Sequence, residues 1–525
     1  MKNNMLKYLS VIWLLCLGTT GFAQLKLPAV IGDNMIIQRD IKAPIWGWAN
    51  AGEKITVVSK DKTDTAQTGN DGKWMLKLDA SKAGGPFEMT VNGNGSTIKL
   101  VNIWAGDVWV ASGQSNMEFG IQTDSIAAES IAAATDSMIH FFVVPMTPSL
   151  QPEKDITVPE ASLDGKWVVC SPELMAAKNW AWHGFSAVGY YFAREIRKTT
   201  GSPVGMIGTY KGGTPAQAWI SLDGLQQSPA FTKYVAAHQL LVDNYDKAQA
   251  DYPAKKAAFQ QELKAWDKSS GKPRPKLPMQ PDGGFNAPSN LYNAMIAPLI
   301  PYAIKGVIWY QGESNGNQMD AAVEYATLFP RLINNWRAKW NQGNFTFLYV
   351  QLANFRAPAQ TPAEGNWAWV REAQLKTLQL PNTGMAVITD IGNASNIHPT
   401  DKLDVGLRLA LAARKVAYHQ KLVYSGPMYK SMRVKGSNAI IRFTETGSGL
   451  VTGRHGGTDA LQGFGIAGSD GKFVWAQARI EGNTVVVHSS EVPHPVAVRY
   501  NWADNPPGNL YNKEGLPASG FRTDK

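Results

Sequence analysis

Asp107-Val108-Trp109-Val110-Ala111-Ser112-Gly113-Gln114-Ser115-Asn116-Met117-Glu118 decides the fold. A short apolar run stops abruptly in small polar residues, as a buried strand does when it delivers a serine at its carboxyl end. Compact apolar runs recur at 204–208, 306–310, 345–352 and 385–389, each closed by polar residues or glycine. Between them, Val188, Tyr191, Phe192 and Ile196 fall on one face of a helix that starts after Ser186. Leu403, Leu407, Ala410 and Leu411 repeat that spacing later and predict a second apolar helix face. Buried strands alternating with helices predict a five-stranded parallel sheet covered on both faces. In such sheets the chemistry lies beyond the carboxyl ends of the strands.

Outward from this core the pattern changes on both sides. Residues 24–103 carry short strand-like runs at 43–48, 54–58 and 73–78, with turn chemistry at Asn70-Asp71-Gly72 and Asn92-Gly93-Asn94-Gly95. They predict a small β-sandwich. Residues 221–286 are polar, contain a helical stretch near 254–266, and end in a Pro-rich loop, which marks an insertion in a core spanning 104–420. Strand-like alternation returns over 421–525, as in Thr484-Val485-Val486-Val487-His488, and predicts a second β-rich region.

Residues 1–23 combine Lys2 and Lys7, an apolar stretch at 9–17 and the small-residue pattern Gly21-Phe22-Ala23, the layout of a secretory signal peptide. A lipoprotein signal at Cys16 is disfavoured by the bulk of Leu15 in front of it. Export to the periplasm or medium is expected, with Cys170 as the only cysteine left and no internal disulfide. The best later apolar stretch is broken by Pro298, Pro301 and Lys305, so no membrane span is expected. At 525 residues the chain exceeds one ordinary core; 44% hydrophobic and 18% charged content excludes a disordered chain or a coiled coil. The formal charge of +9 is spread along the chain without a basic block, which argues against a nucleic-acid partner. No residue pattern specifies an oligomer.

Four polar signatures close four of the predicted strands: the Ser115 segment, Tyr210-Lys211-Gly212-Gly213-Thr214, Gln311-Gly312-Glu313-Ser314-Asn315, and Asn396-Ile397-His398-Pro399. A serine hydroxyl and an imidazole converging on one crevice are the parts of a nucleophile activated by a base. Gly113-Gln114-Ser115-Asn116-Met117, Trp309-Tyr310-Gln311-Gly312-Glu313-Ser314-Asn315 and Ile397-His398-Pro399 resemble the signatures of SGNH-type carbohydrate esterases, and most closely the sialate O-acetylesterase family, which includes bacterial esterases of acetylated polysaccharides. Lesser matches at 185–192, 291–299, 498–503 and 515–518 extend the likeness over nearly the whole chain after the signal peptide. The resemblance implies a flavodoxin-like SGNH-hydrolase core with β-rich accessory regions, and a serine O-acetylesterase that needs no cofactor.

Carried over residue by residue, Ser115 is the nucleophile and His398 its base. The oxyanion hole is the Ser115 N–H, the Gly213 (or Gly212) N–H and the Gln311 amide. The family-wide Asp-x-x-His spacing fails here, because Ser395 stands three residues before His398. Asp390 is preferred as the acid; Glu313, or a backbone carbonyl in a simple dyad, are the alternatives. Asn116, Glu313, Trp182 and Trp367 are assigned to substrate contact, with Trp180 a further loop candidate, while at least half of the tryptophans near the site are expected to pack in cores. Metal binding has no support, since there is no His-Glu-x-x-His and one cysteine cannot build a thiolate site. The expected partner is an acetylated oligosaccharide. Aromatic residues outnumber any evident Arg clamp, although Arg356 and Arg371 are available for a carboxylate, which tilts the substrate toward plant-type glycans such as xyloglucan over sialic acids. A non-catalytic carbohydrate-binding protein is the alternative function. A lipase lacks support without a Gly-x-Ser-x-Gly elbow at Ser115.

Overall fold

The computed structural model describes residues 24–524 apart from positions 61, 81, 179, 181, 363 and 458; the expected signal peptide, 1–23, lies outside the described residues. The central sheet places its strands in the order Thr383–Val387, Thr346–Gln351, Gly306–Tyr310, Ser96–Gly113, Val204–Tyr210, Ile139–Val143 and Trp167–Val169. Every neighbouring pair is parallel except the last, which is antiparallel. The five runs picked out by their apolar character thus pair with one another. The sheet is larger than that, because Ile139–Val143 adds a sixth parallel strand and Trp167–Val169 an edge. His140 interrupts the apolar reading of 139–143, yet it is buried: its ring nitrogens face the carbonyls of Asn34 and Ser137. Burial lowers its pKa, and the neutral ring donates its one N–H to one of these carbonyls, which lets a polar side chain sit in a core strand.

The registers show why both faces are apolar. Gly306 pairs with Trp109, so Trp109 and Trp309 point to opposite faces of the sheet. Trp109 packs edge-on against Phe192 of the helix Ala187–Thr200. Trp309 packs against Phe329 and Trp336 of the helix Met319–Trp340. Ser186 caps the first of these helices through a bond from the Gly189 N–H, as its position before an apolar face predicts. The helix Lys402–Val416 turns Val405, Gly406 and Leu409 into the core and leaves Leu403, Leu407 and Leu411 half-buried. Of the expected face, Ala410 is buried and Leu403 packs against the core, while the most buried stripe is rotated toward Val405 and Leu409. Leu407 and Leu411 line a cleft with Val451 and Leu516 of the C-terminal region, so the helix is covered on two sides.

Ser96–Gly113 is an 18-residue strand that runs unbroken through the boundary expected near 103. Its first half pairs with Gly84–Gly93 in the N-terminal sheet, and its second half is the centre of the main sheet. Apolar side chains from Leu25 to Ala417 form one continuous core, while a second core holds Ala439, Ile441, Phe464, Val485, Val498 and Phe521. The insertion contains a helix, Thr232–Ala265, which starts well before the expected 254 and buries only His238.

Candidate active site

Gly113 closes the long strand at φ +138, and a Cβ there would fall 2.1 Å from the Tyr310 carbonyl oxygen of the adjacent strand. Only glycine permits this approach. The Gln114 N–H donates to the same carbonyl at 3.0 Å, and Ser115–Glu118 then form a single helical turn. The helix extends no further: Phe119 leaves helical geometry and Gly120 bridges to Ser186. A single turn supplies local N–H groups rather than an extended macrodipole.

Half-buried at the start of this turn, Ser115 has its Oγ 2.9 Å from Nε2 of His398. The backbone that carries the imidazole is held by two hydrogen bonds and the ring by one aromatic contact. The His398 N–H donates to Asn396 Oδ1 at 2.9 Å, Trp182 packs edge-on at 5.8 Å, and Ile397 is bonded through its carbonyl to Asn116. Partial burial, and next the charge of Lys402, depress the His398 pKa below the usual imidazole value. The pair opens into a cleft of about 480 Å³ that is also lined by Trp182, Lys211, Gly213, Glu313 and Asn317. Trp182 is 37% exposed. Gly213 takes φ +73 beside Ser115, and Glu118 fixes the turn by accepting the Gly212 N–H. Burial raises the Glu118 carboxyl pKa, against the pull of Lys211 and that N–H. Among the described residues the N–H groups of Ser115 and Gly213 have no protein acceptor.

Several expected site residues are employed elsewhere. Asp390 forms a two-pronged ion pair with the buried Arg408, at 2.6 and 2.7 Å, and makes no bond to His398. A guanidinium buried beside it is the stronger claim on that carboxylate. Asp390→Asn should therefore leave kcat within a few-fold of wild type while lowering the urea midpoint, because Arg408 loses its two-pronged partner and keeps only the longer Asp404 contact at 3.5 Å. Steady-state kinetics and a denaturation curve check both halves. Among the described residues neither a carboxylate nor a backbone carbonyl is bonded to His398 Nδ1, so none of the three proposed imidazole partners occupies it.

Gln311 is fully buried, and its amide donates to the Thr214 carbonyl (3.2 Å) and Asn315 Oδ1 (2.8 Å) while Oε1 accepts from Tyr325. No donor remains for an oxyanion. Asn116 is likewise interior, bonded to Glu313, Ile397 and Lys402, and not available to substrate. Glu313 reaches the cleft wall with one oxygen bonded and Oε2 buried without a partner. Trp367 is 2% exposed and packs on Phe355, and Trp180 packs on Phe185; neither reaches the cleft. Trp182 alone of the three candidate tryptophans lines it, and Trp367 lies in the helix Asn366–Thr377. Trp219 and Trp309 are also core residues, in keeping with the expectation for most of them.

Glu118, Lys211 and Lys402 were not singled out by sequence reasoning. The first two lie inside motifs already noted, one turn after Ser115 and one residue before Gly212. Lys402 lies four residues after His398, and no sequence signal distinguishes it from a solvated lysine. Among the described residues no cluster of His, Cys, Asp or Glu could hold a metal ion.

Residues 105–250 and 262–415 match the sequence model of the carbohydrate esterases described as sialic acid-specific acetylesterases. The chain belongs to this family. As a member of the sialic acid-specific acetylesterase family it is a carbohydrate esterase, a hydrolase of acetyl esters, which is the family the motifs resembled. It is 30% identical over 456 residues to the sialate O-acetylesterase of Rattus norvegicus, covering 80% of this chain and 78% of that one. The human sialate O-acetylesterase is 28% identical over 453 residues, with 80% and 76% covered. Among solved structures, a carbohydrate acetylesterase from Xanthomonas citri superposes with a TM-score of 0.78 at 39% identity, covering 95% of this chain and 100% of the other. Among the described residues no helix is long and apolar enough to cross a membrane.

Proposed function

We propose that this protein is an exported carbohydrate O-acetylesterase that works through a serine acyl-enzyme. The observation that carries the mechanism is the 2.9 Å contact between Ser115 Oγ and His398 Nε2 at the wall of an open cleft. As Oγ adds to the acetyl carbonyl, its proton passes to Nε2. The carbonyl oxygen becomes an anion within reach of the free Ser115 and Gly213 N–H groups. Nε2 then returns the proton to the departing sugar oxygen, the ester bond breaks, and acetyl-Ser115 remains. Water adds to that ester and gives its proton to Nε2; collapse releases acetate and restores the serine hydroxyl. The depressed His398 pKa keeps the imidazole in its neutral, basic form at neutral pH. A protein that only bound sugars would have no use for a hydroxyl and an imidazole at bonding distance.

In this reading the six parallel strands contain a flavodoxin-like SGNH core spanning about 104–420, and the β-regions at 24–103 and 421–525 are accessory units. Export to the periplasm or medium rests on the signal-like residues 1–23. The substrate proposed is a neutral acetylated plant-type glycan such as xyloglucan, part of polysaccharide degradation, whose ring would lie on Trp182. Arg356 is bonded to Asp504 and Arg371 is buried, so neither is free to clamp a sialic acid carboxylate. A fluorophosphonate should inactivate the enzyme one-to-one, with the added mass on the Ser115 peptide. Labelling confined to another residue in active protein would sink the serine assignment. Acetate release from acetylated xyloglucan oligosaccharides should exceed that from acetylated sialosides, and a sialoside preference overturns the substrate.

A further inference from the structure

A chain of buried polar groups ties the Ser115 turn to the His398 loop behind the cleft wall. Lys402 opens the helix Lys402–Val416 and is completely buried. Its Nζ donates to Asn116 Oδ1 at 2.6 Å and lies 4.6 Å from the centre of the Phe119 ring and 5.5 Å from that of Tyr310. The Asn116 Nδ2 donates in turn to Glu313 Oε1 at 2.6 Å and to the Ile397 carbonyl at 3.0 Å. The direction of the Asn116 amide is forced. A lysine ammonium offers only donors, and a carboxylate and a carbonyl offer only acceptors, so Oδ1 must face Lys402 and Nδ2 the other two. Asn116 adjoins the nucleophile in sequence and Ile397 adjoins the base. One side chain therefore sets the spacing between the two backbone segments that carry the reacting groups.

We propose that Lys402 is a positioning residue for the Ser115–His398 pair, holding Asn116 in the orientation that clamps the His398 loop against the nucleophile turn. The proposal rests on the serine reading above. It gives a buried lysine a reason to be there, since an ammonium is taken out of water only where fixed partners compensate. It also supplies what a carboxylate on Nδ1 does in a triad, which is to restrict where the imidazole can go. Burial pushes the Lys402 pKa down to about 7, with Glu313, Asp124 and Asp401 pulling it back up. The groups facing His398 are Ser115, Trp182 and Lys402, with Glu118, Lys211 and Glu313 on the same cleft.

Lys402→Met keeps the length of the side chain and removes its charge and donors. On p-nitrophenyl acetate, kcat should fall about 10²-fold, the cost of a small misplacement of reacting groups, with KM unchanged. The acid limb of the kcat/KM profile should move to higher pH, because His398 no longer protonates against a neighbouring cation. Asn116→Ala should lower kcat similarly while leaving that limb in place, and the double variant should be no worse than the poorer single, as for two parts of one device. Folded Lys402→Met with wild-type kcat and an unmoved limb overturns the proposal, as do losses that multiply in the double variant. If Lys402→Met does not fold, Asn116→Ala decides alone: a fall in kcat at constant KM supports the clamp, and wild-type kcat removes it. Retained activity in Ser115→Ala would defeat the serine reading itself, whereas an inactive Ser115→Ala beside a fully active Lys402→Met defeats only the role given to Lys402.

Discussion

Ser115→Ala is expected to lower kcat for acetyl ester hydrolysis about 10⁶-fold, the loss seen when a serine nucleophile is removed from an intact site. The size follows from what the hydroxyl does. Without Oγ there is no acyl-enzyme, and the remaining groups can only assist direct attack by water. Those groups stay in place, because the Oγ contact with His398 is the one side-chain hydrogen bond Ser115 makes among the described residues, and the turn is held by backbone bonds. The residual rate should therefore still exceed that of free water, by the contribution of the Ser115 and Gly213 N–H groups. Folding should be unchanged, since a half-buried hydroxyl exchanged for hydrogen neither opens a large cavity nor strands a buried partner. The measurement is burst and steady-state kinetics on p-nitrophenyl acetate beside a denaturation curve. A Ser115→Ala enzyme that retains even a few per cent of wild-type kcat, in protein free of wild-type carry-over, would place the nucleophile elsewhere.

The Ser115–His398 contact was legible because its two halves lie in short motifs at strand ends, where local sequence marks both the end of the strand and the residue that emerges there. The supporting groups were not. Gln311 and Ser115 both follow apolar runs, yet Gln311 turns inward to Thr214, Asn315 and Tyr325 while Ser115 faces the cleft. Period and composition place both at a strand end and say nothing of which way each side chain turns. Asp390 was chosen because it closes the strand-like run 385–389 and could turn back toward His398, but Arg408 of the following helix is its partner in space. Lys402 lies between Asp401 and Leu403, a setting that reads as a solvated helix start. Only the convergence of Phe119, Tyr310 and Asn116 from other elements encloses it. The strand Ile139–Val143 was missed for a related reason: the carbonyls that make His140 acceptable in the core come from Asn34 and Ser137.

Arg371 carries the largest expected effect on stability. Its guanidinium is 2% exposed and donates to four backbone carbonyls: Leu352 (2.8 Å) and Ala353 (2.7 Å) beyond a central strand, and Ala503 (2.6 Å) and Asp504 (2.8 Å) in the C-terminal region. A single side chain thus joins the main sheet to the segment between Tyr500 and Leu510, two residues of the second core. Burial lowers its pKa to about 10, so it remains charged at neutral pH and every one of these bonds is charge-assisted. Arg371→Ala leaves the carbonyls in a dry interior with neither donor nor water, and removes the bulk of the side chain. The expected loss is about 3–5 kcal/mol, the range for breaking a buried charged network by deleting one partner. Arg371→Lys should recover only part of it, because a point-like ammonium cannot span four acceptors held in the plane of a fork. The urea midpoint should fall in the order wild type, Lys, Ala, and limited proteolysis of the Ala variant should cut first around residues 503–504. An Arg371→Ala protein with the wild-type midpoint would mean that the junction is held by other contacts, such as the Arg522 pair with Glu372 and the Gln351 bond to Ser519, and that the guanidinium merely fills space.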